Sequence, residues 1–131
     1  MIFADEQHKE FYKKNKTLVG DDVYSDALIY LLGLTDDTRR HFNGLFDITS
    51  KEINIDGLNE AWQTGTSLKI TRLAFNLFNG LKYDSHEELN DGKISKYFSV
   101  DDIFCCGYAL YFFEAIKLRY PEYCTQRGIE G

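Results

Sequence analysis

The sequence predicts an all-α protein: a single compact domain of five or six helices around a buried central helix at about residues 100–120. Three observations lead there. Apolar residues recur at helical spacing in successive windows, and Gly, Asn-Gly and Asp-Gly breaks separate those windows. The run IFCCGYALYFF, residues 103–113, is apolar, small or aromatic at every position, the pattern of a helix buried on all sides. The chain has 131 residues, 44% hydrophobic and 15% aromatic, enough for one core and one domain spanning 1–131.

Residues 4–16 read as a first amphipathic helix, with Ala4, His8, Phe11 and Tyr12 on one face. Lys13, Lys14 and Lys16 suit its C-terminal end, and Val19-Gly20 breaks it. Asp21 or Asp22 caps a second helix that runs to Leu32, with Val23, Ala27, Leu28, Tyr30 and Leu31 on a wide buried face. Gly33 fits the position just past its end. Thr35 caps a short third helix that Asn43-Gly44 stops.

Residues 46–63 are expected to be irregular, with a short extended segment around Ile53 and Ile55, a turn at Asp56-Gly57 and one helical turn at 58–62. Thr66 or Ser67 begins a strong helix to Phe78, ended by Asn79-Gly80. Residues 81–98, LKYDSHEELNDGKISKYF, form a polar connecting loop with room for a short helix at 85–89. In the central helix Ser99 is the N-cap, and Asp101 and Asp102 sit at the positive end of the dipole. Lys117 and Arg119 sit at the negative end, and Pro121 stops it. Gly107 inside it predicts a close helix crossing, because a mid-helix glycine costs about 1 kcal/mol relative to alanine. The polar tail from Glu122 to Gly131 is expected to fray.

The net charge of −6 disfavours a general nucleic-acid or anionic-membrane binder, since both need Lys and Arg. The first residues, MIFADEQHKEF, turn polar after three positions, so neither a signal peptide nor an anchor is expected there. The 103–113 run falls short of the ~20 apolar residues that cross a bilayer. Three cysteines, an odd number, suit a reducing cytoplasm.

Two stretches, WQTGTSLKITRLAFNLFNG at 62–80 and SVDDIFCCGYALYFFEAIKLRYPEY at 99–123, together resemble a family of small bacterial proteins of unknown function. Members of that family often sit in phages and integrative elements of Gram-positive bacteria. With the spacer between them the two stretches span about half the chain. The resemblance implies a small cytoplasmic protein carried as mobile-element cargo. It implies no established activity, cofactor or catalytic residue.

The candidate ligand site lies at the start of the strong helix. Thr64, Gly65, Thr66 and Ser67 offer backbone N–H groups and hydroxyls to an anion, with Lys69 and Arg72 on the exposed arc behind. The full phosphate-loop spacing is absent. Glu114 falls on an apolar face and needs a partner, for which Arg72 is the choice: a buried ion pair is expected. Cys105 and Cys106 lack the C-x-x-C spacing of a metal site and read as buried small hydrophobes, whereas Cys124 reads as exposed. His8, His41 and His86 read as surface or half-buried residues, and Tyr108, Tyr111, Phe112 and Phe113 as core. His86-Glu87-Glu88 with Asp84 and Asp91 reads as a solvated acidic loop. No metal, cofactor or catalytic residue is assigned.

Two functions follow from this reading. The first is a non-catalytic regulatory protein that binds another protein, in one version by modulating or inhibiting a host defence protein. The second is a small enzyme or sensor that takes a phosphorylated metabolite or nucleotide at residues 64–72.

Overall fold

A computed structural model describes residues 1–129. The described residues are all-α but for one short hairpin. Helix α1 spans Glu6–Val19, capped by the Asp5 carboxylate and closed by Gly20 at φ 69°. Helix α2 spans Val23–Leu32, and Asp22 accepts from the N–H groups of Tyr24 and Ser25 at its start. The predicted third helix is two pieces, α3 (Asp36–Arg40) and α4 (Phe42–Leu45), with His41 between them. Thr35 caps α3 as expected, but Asn43-Gly44 lies inside α4 and does not stop it.

The 46–63 stretch folds as an antiparallel hairpin, β1 (Phe46–Asp47) with β2 (Glu52–Ile53), in register Phe46↔Ile53. A 3-10 turn follows at Ile55–Asn59, three residues earlier than the predicted helical turn, because the Asn54 side chain accepts from Asp56 N–H and starts it there. Helix α5 spans Gly65–Asn79 and ends at Gly80, φ 78°. The polar 81–98 segment carries α6 (His86–Asp91) and a 3-10 turn at Lys96–Phe98.

The central helix is α2, not the 100–120 run. Ala27 through Leu32 are each 0% exposed, and α2 packs on α5, α8 and α1. Six consecutive core residues leave no polar stripe, so α2 is the helix that is apolar all round. The 100–120 run is broken: α7 covers Val100–Ile103, and α8 covers Ala109–Arg119. The break explains a contact that a single helix forbids. Phe104 lies 5.4 Å from Phe112, ring edge to face. Eight residues along one helix would separate them by about 12 Å of rise. Turning the chain at residues 104–108 instead folds the Phe104 ring back onto α8, whose Phe112 is fully buried. The predicted close crossing at Gly107 is not there either: Gly107 is exposed, and a Cβ added to it would meet nothing within 4 Å.

The close approach occurs at Gly33. A Cβ there would lie 2.7 Å from Phe11 Cδ1 and 3.0 Å from His8 Cδ2. Gly33 has φ −81°, so its role is space and not a left-handed turn. It lets α1 lie against the end of α2. The tail from 121 holds a 3-10 turn at Pro121–Tyr123 and is exposed through Ile129. The last two positions of the tail expected to fray, 130–131, lie outside the described residues.

Candidate functional site

The start of α5 is a complete cap. Thr64 Oγ1 accepts from Ser67 N–H at 3.2 Å, and Ser67 Oγ accepts from Thr64 N–H at 2.7 Å. Ser67 Oγ donates onward to Gln63 Oε1 at 2.6 Å, and Ser67 is buried. Ser67 is therefore committed to holding the helix start. Gly65 and Thr66 are exposed there. The two cations turn elsewhere. Lys69 Nζ donates to the carbonyl of Asp102, tying α5 to α7. Arg72 Nε donates to Asp84 Oδ1 at 2.8 Å.

Arg72 thus pairs with Asp84 and not with Glu114, which corrects the expected ion pair. The reason is placement. The arc of α5 that carries Arg72 faces the 81–98 segment, whereas α8 lies chiefly against α2. The side chains of Arg72 and Asp84 are only 14% and 18% exposed. Asp84 accepts a second bond from Ser95 Oγ at 2.5 Å, its carbonyl accepts from Asn59 Nδ2, and the Arg72 guanidinium lies 4.9 Å from the centre of the Tyr97 ring. The segment read as a connecting loop is therefore pinned to α5. Glu114 is half-buried, and its charge helps raise the Tyr30 phenol, which burial pushes up first.

His8 is the polar residue that sequence reasoning misplaced. It is fully buried, not at the surface. Its Nε2 lies 2.7 Å from the Tyr30 carbonyl, and its Nδ1 accepts from Ala4 N–H at 3.0 Å. A carbonyl can only accept, so the proton sits on Nε2 and the ring is neutral. Burial lowers the pKa from 6.5. The signal was the position of His8 on the apolar face with Ala4, Phe11 and Tyr12. His41 stacks on Trp62 at 4.0 Å, and His86 Nε2 lies 3.5 Å from Asp56 Oδ1. In the acidic loop Asp84 serves Arg72, and Glu88 Oε1 accepts from Asp84 N–H. Among the described residues no group of three or more His, Cys, Asp or Glu is placed to hold a metal ion.

The outer face of α7 and α8 is the largest departure from expectation. Val100, Leu110 and Phe113 are 71%, 62% and 55% exposed. Phe104 packs 5.5 Å from Phe113, and Cys105 beside it is exposed, not buried as expected. Phe113 was expected in the core. Phe112, also expected there, is buried, and one step along the helix turns the next side chain by about 100°.

The fold and this surface define a small all-α protein with a sealed helix cap, an internal Arg–Asp anchor and an apolar outer face. The chain belongs to the family of unknown function DUF6075, which matches residues 1–130. No curated protein and no solved structure matches it. Among the described residues no helix is long and apolar enough to cross a membrane.

Proposed function

We propose that this is a non-catalytic protein that works by binding another protein through the α7–α8 face. The observation that supports this is the run of exposed Leu110 and Phe113 on α8 beside Phe104, with Val100 one turn earlier on α7. Apolar side chains grouped on a surface mark interaction sites, whereas scattered single ones do not. The net charge of −6 favours a partner with a basic surface. The likeness of residues 62–80 and 99–123 to proteins of phages and integrative elements adds the setting: mobile-element cargo in the cytoplasm that modulates or inhibits a host defence protein. A basic nucleic-acid-binding surface on that host protein would meet the carboxylates.

The phosphate reading of residues 64–72 has weaker support, because Lys69 and Arg72 are bonded to Asp102 and Asp84. One experiment separates the two. The tagged protein and its Leu110→Glu/Phe113→Glu variant are crosslinked in cells and recovered, beside a Lys14→Glu control at an exposed position of α1. A protein recovered with wild type and control but lost with the double variant supports the binding reading. Equal recovery by all three overturns it. A melting temperature raised by phosphate or a nucleotide, and abolished by Thr66→Pro, moves the assignment to the start of α5.

A further inference from the structure

We propose that the cleft between the hairpin, the end of α5 and α6 binds a small uncharged heteroaromatic molecule. This site is separate from the α7–α8 face and does not depend on it. The cleft has a volume of about 380 Å³, inside the ~300–1,000 Å³ range of small-molecule sites. Ile55 and Leu81 supply its buried surface, and Ile53, Tyr83 and Leu89 extend the apolar lining outward. Asn79 and His86 supply polar groups at its exposed edge.

The walls are fixed before any ligand arrives. Leu81 N–H donates to Asn79 Oδ1 at 3.1 Å, and the Leu81 carbonyl accepts from Asn76 Nδ2 at 3.0 Å. On the other side Asn54 N–H donates to the Leu45 carbonyl at 2.9 Å, and Asn54 Nδ2 donates to the Gly44 carbonyl at 3.0 Å. Binding to such a site orders little new structure, which lowers its entropic cost.

The lining also sets the ligand's chemistry. No Lys, Arg, Asp or Glu lines the cleft, so a charged ligand would lose water there without gaining a counter-ion. Aliphatic walls and the Tyr83 ring suit a flat ring. The Asn79 oxygen is used by Leu81, which leaves the amide N–H groups as donors with no partner among the described residues. With the Tyr83 side chain they match ring nitrogens and exocyclic groups. An all-carbon ring would leave them to water.

The test is a titration of the ¹⁵N-labelled full chain followed by amide NMR signals. The probes are adenine and indole, both neutral, with benzoate and benzamidine as charged rings of similar size. Saturable shifts at Ile53, Asn54, Gly80, Leu81 and Leu89 are expected with adenine, weaker ones with indole, and none with the charged rings. Leu89→Trp fills the opening, and the Kd for adenine should weaken at least tenfold. Asn79→Asp keeps the oxygen that holds Leu81 N–H, deletes the donors at an exposed site and serves the same purpose if the tryptophan variant does not fold. No saturable shift with either neutral ring, a response to the charged rings alone, or a Kd unchanged in the folded variant overturns the proposal.

Discussion

Arg72 and Asp84 meet at 2.8 Å with both side chains largely withdrawn from water, and their bond fixes how the segment after α5 returns to the core. Asp84 also accepts from Ser95, so one carboxylate joins α5 to both ends of the 81–98 segment.

Breaking this pair should be costly from either side. Arg72→Ala leaves a carboxylate with one hydroxyl partner, and Asp84→Ala leaves a guanidinium against the Tyr97 ring. Loss of one member of a buried pair costs about 3–5 kcal/mol, and the remaining exposure places this pair at the lower end. The double variant should cost less than the sum of the singles by about 1 kcal/mol or more. Glu114→Gln, by contrast, should change stability by about 0.5 kcal/mol or less. Urea melts of the four variants check this. Additive small effects for Arg72 and Asp84 would contradict the geometry.

The sequence made most helices legible because caps are local. Asp22, Thr35 and Ser99 each accept a backbone N–H at the positions their side chains suggest. What it hid depends on long-range packing. The 99–121 run carries good signals at both ends, yet Phe104 gains a ring contact on α8 only if the helix breaks between them. Helical spacing cannot rank two apolar runs by burial, so it favours the longer 103–113 run over the shorter one in α2. The partner of Arg72 was hidden in the same way, because spacing places it on an arc of α5 without saying which segment crosses that arc. The α7–α8 face looks like core in the sequence for the same reason, since aromatic content says nothing about which side is left uncovered.

His8 should make stability fall on mild acidification. Its folded pKa lies below the unfolded value near 6.5, because burial favours the neutral ring. Between the two values the unfolded chain binds the extra proton, so stability rises with pH there. The contribution is fully present above 6.5 and is lost as pH falls through the folded pKa. Protonation would also put a hydrogen on Nδ1, facing the Ala4 N–H that it now accepts. Urea melts between pH 7.5 and 5 should show this slope, in a range above most carboxylate titrations. A His8→Gln variant should be less stable at pH 7.5 and should lack the slope. An equal slope in both proteins would contradict a buried neutral His8.

Thiol labelling of the native protein should modify Cys105 and Cys124 quickly, since both are exposed, and Cys106 more slowly. Cys106 is half-buried with its Sγ 3.8 Å from the Ile103 carbonyl. Mass spectrometry of a time course gives the order. Protection of Cys105 in the free protein would mean that the α7–α8 face is covered, and would restore a continuous buried helix there.

Two glycines should respond in opposite directions to alanine. At Gly33 the new Cβ would lie 2.7 Å from a Phe11 ring carbon, so α1 must shift away from the end of α2 or Phe11 must leave its contact with the Phe42 ring at 5.0 Å. Overpacking of this kind costs about 1–3 kcal/mol. No backbone strain is involved, because φ is −81°. At Gly107 the Cβ meets nothing within 4 Å, and its φ lies outside the left-handed range. Alanine there only restricts the unfolded chain, which stabilises by about 0.4–1 kcal/mol. Gly20→Ala supplies the third case: open space around the Cβ but φ +69°, so it should lose about 1–2 kcal/mol from conformation alone. Thermal melts of the three variants separate contact, strain and chain entropy. A destabilised Gly107→Ala would show that a helix does pack against that residue.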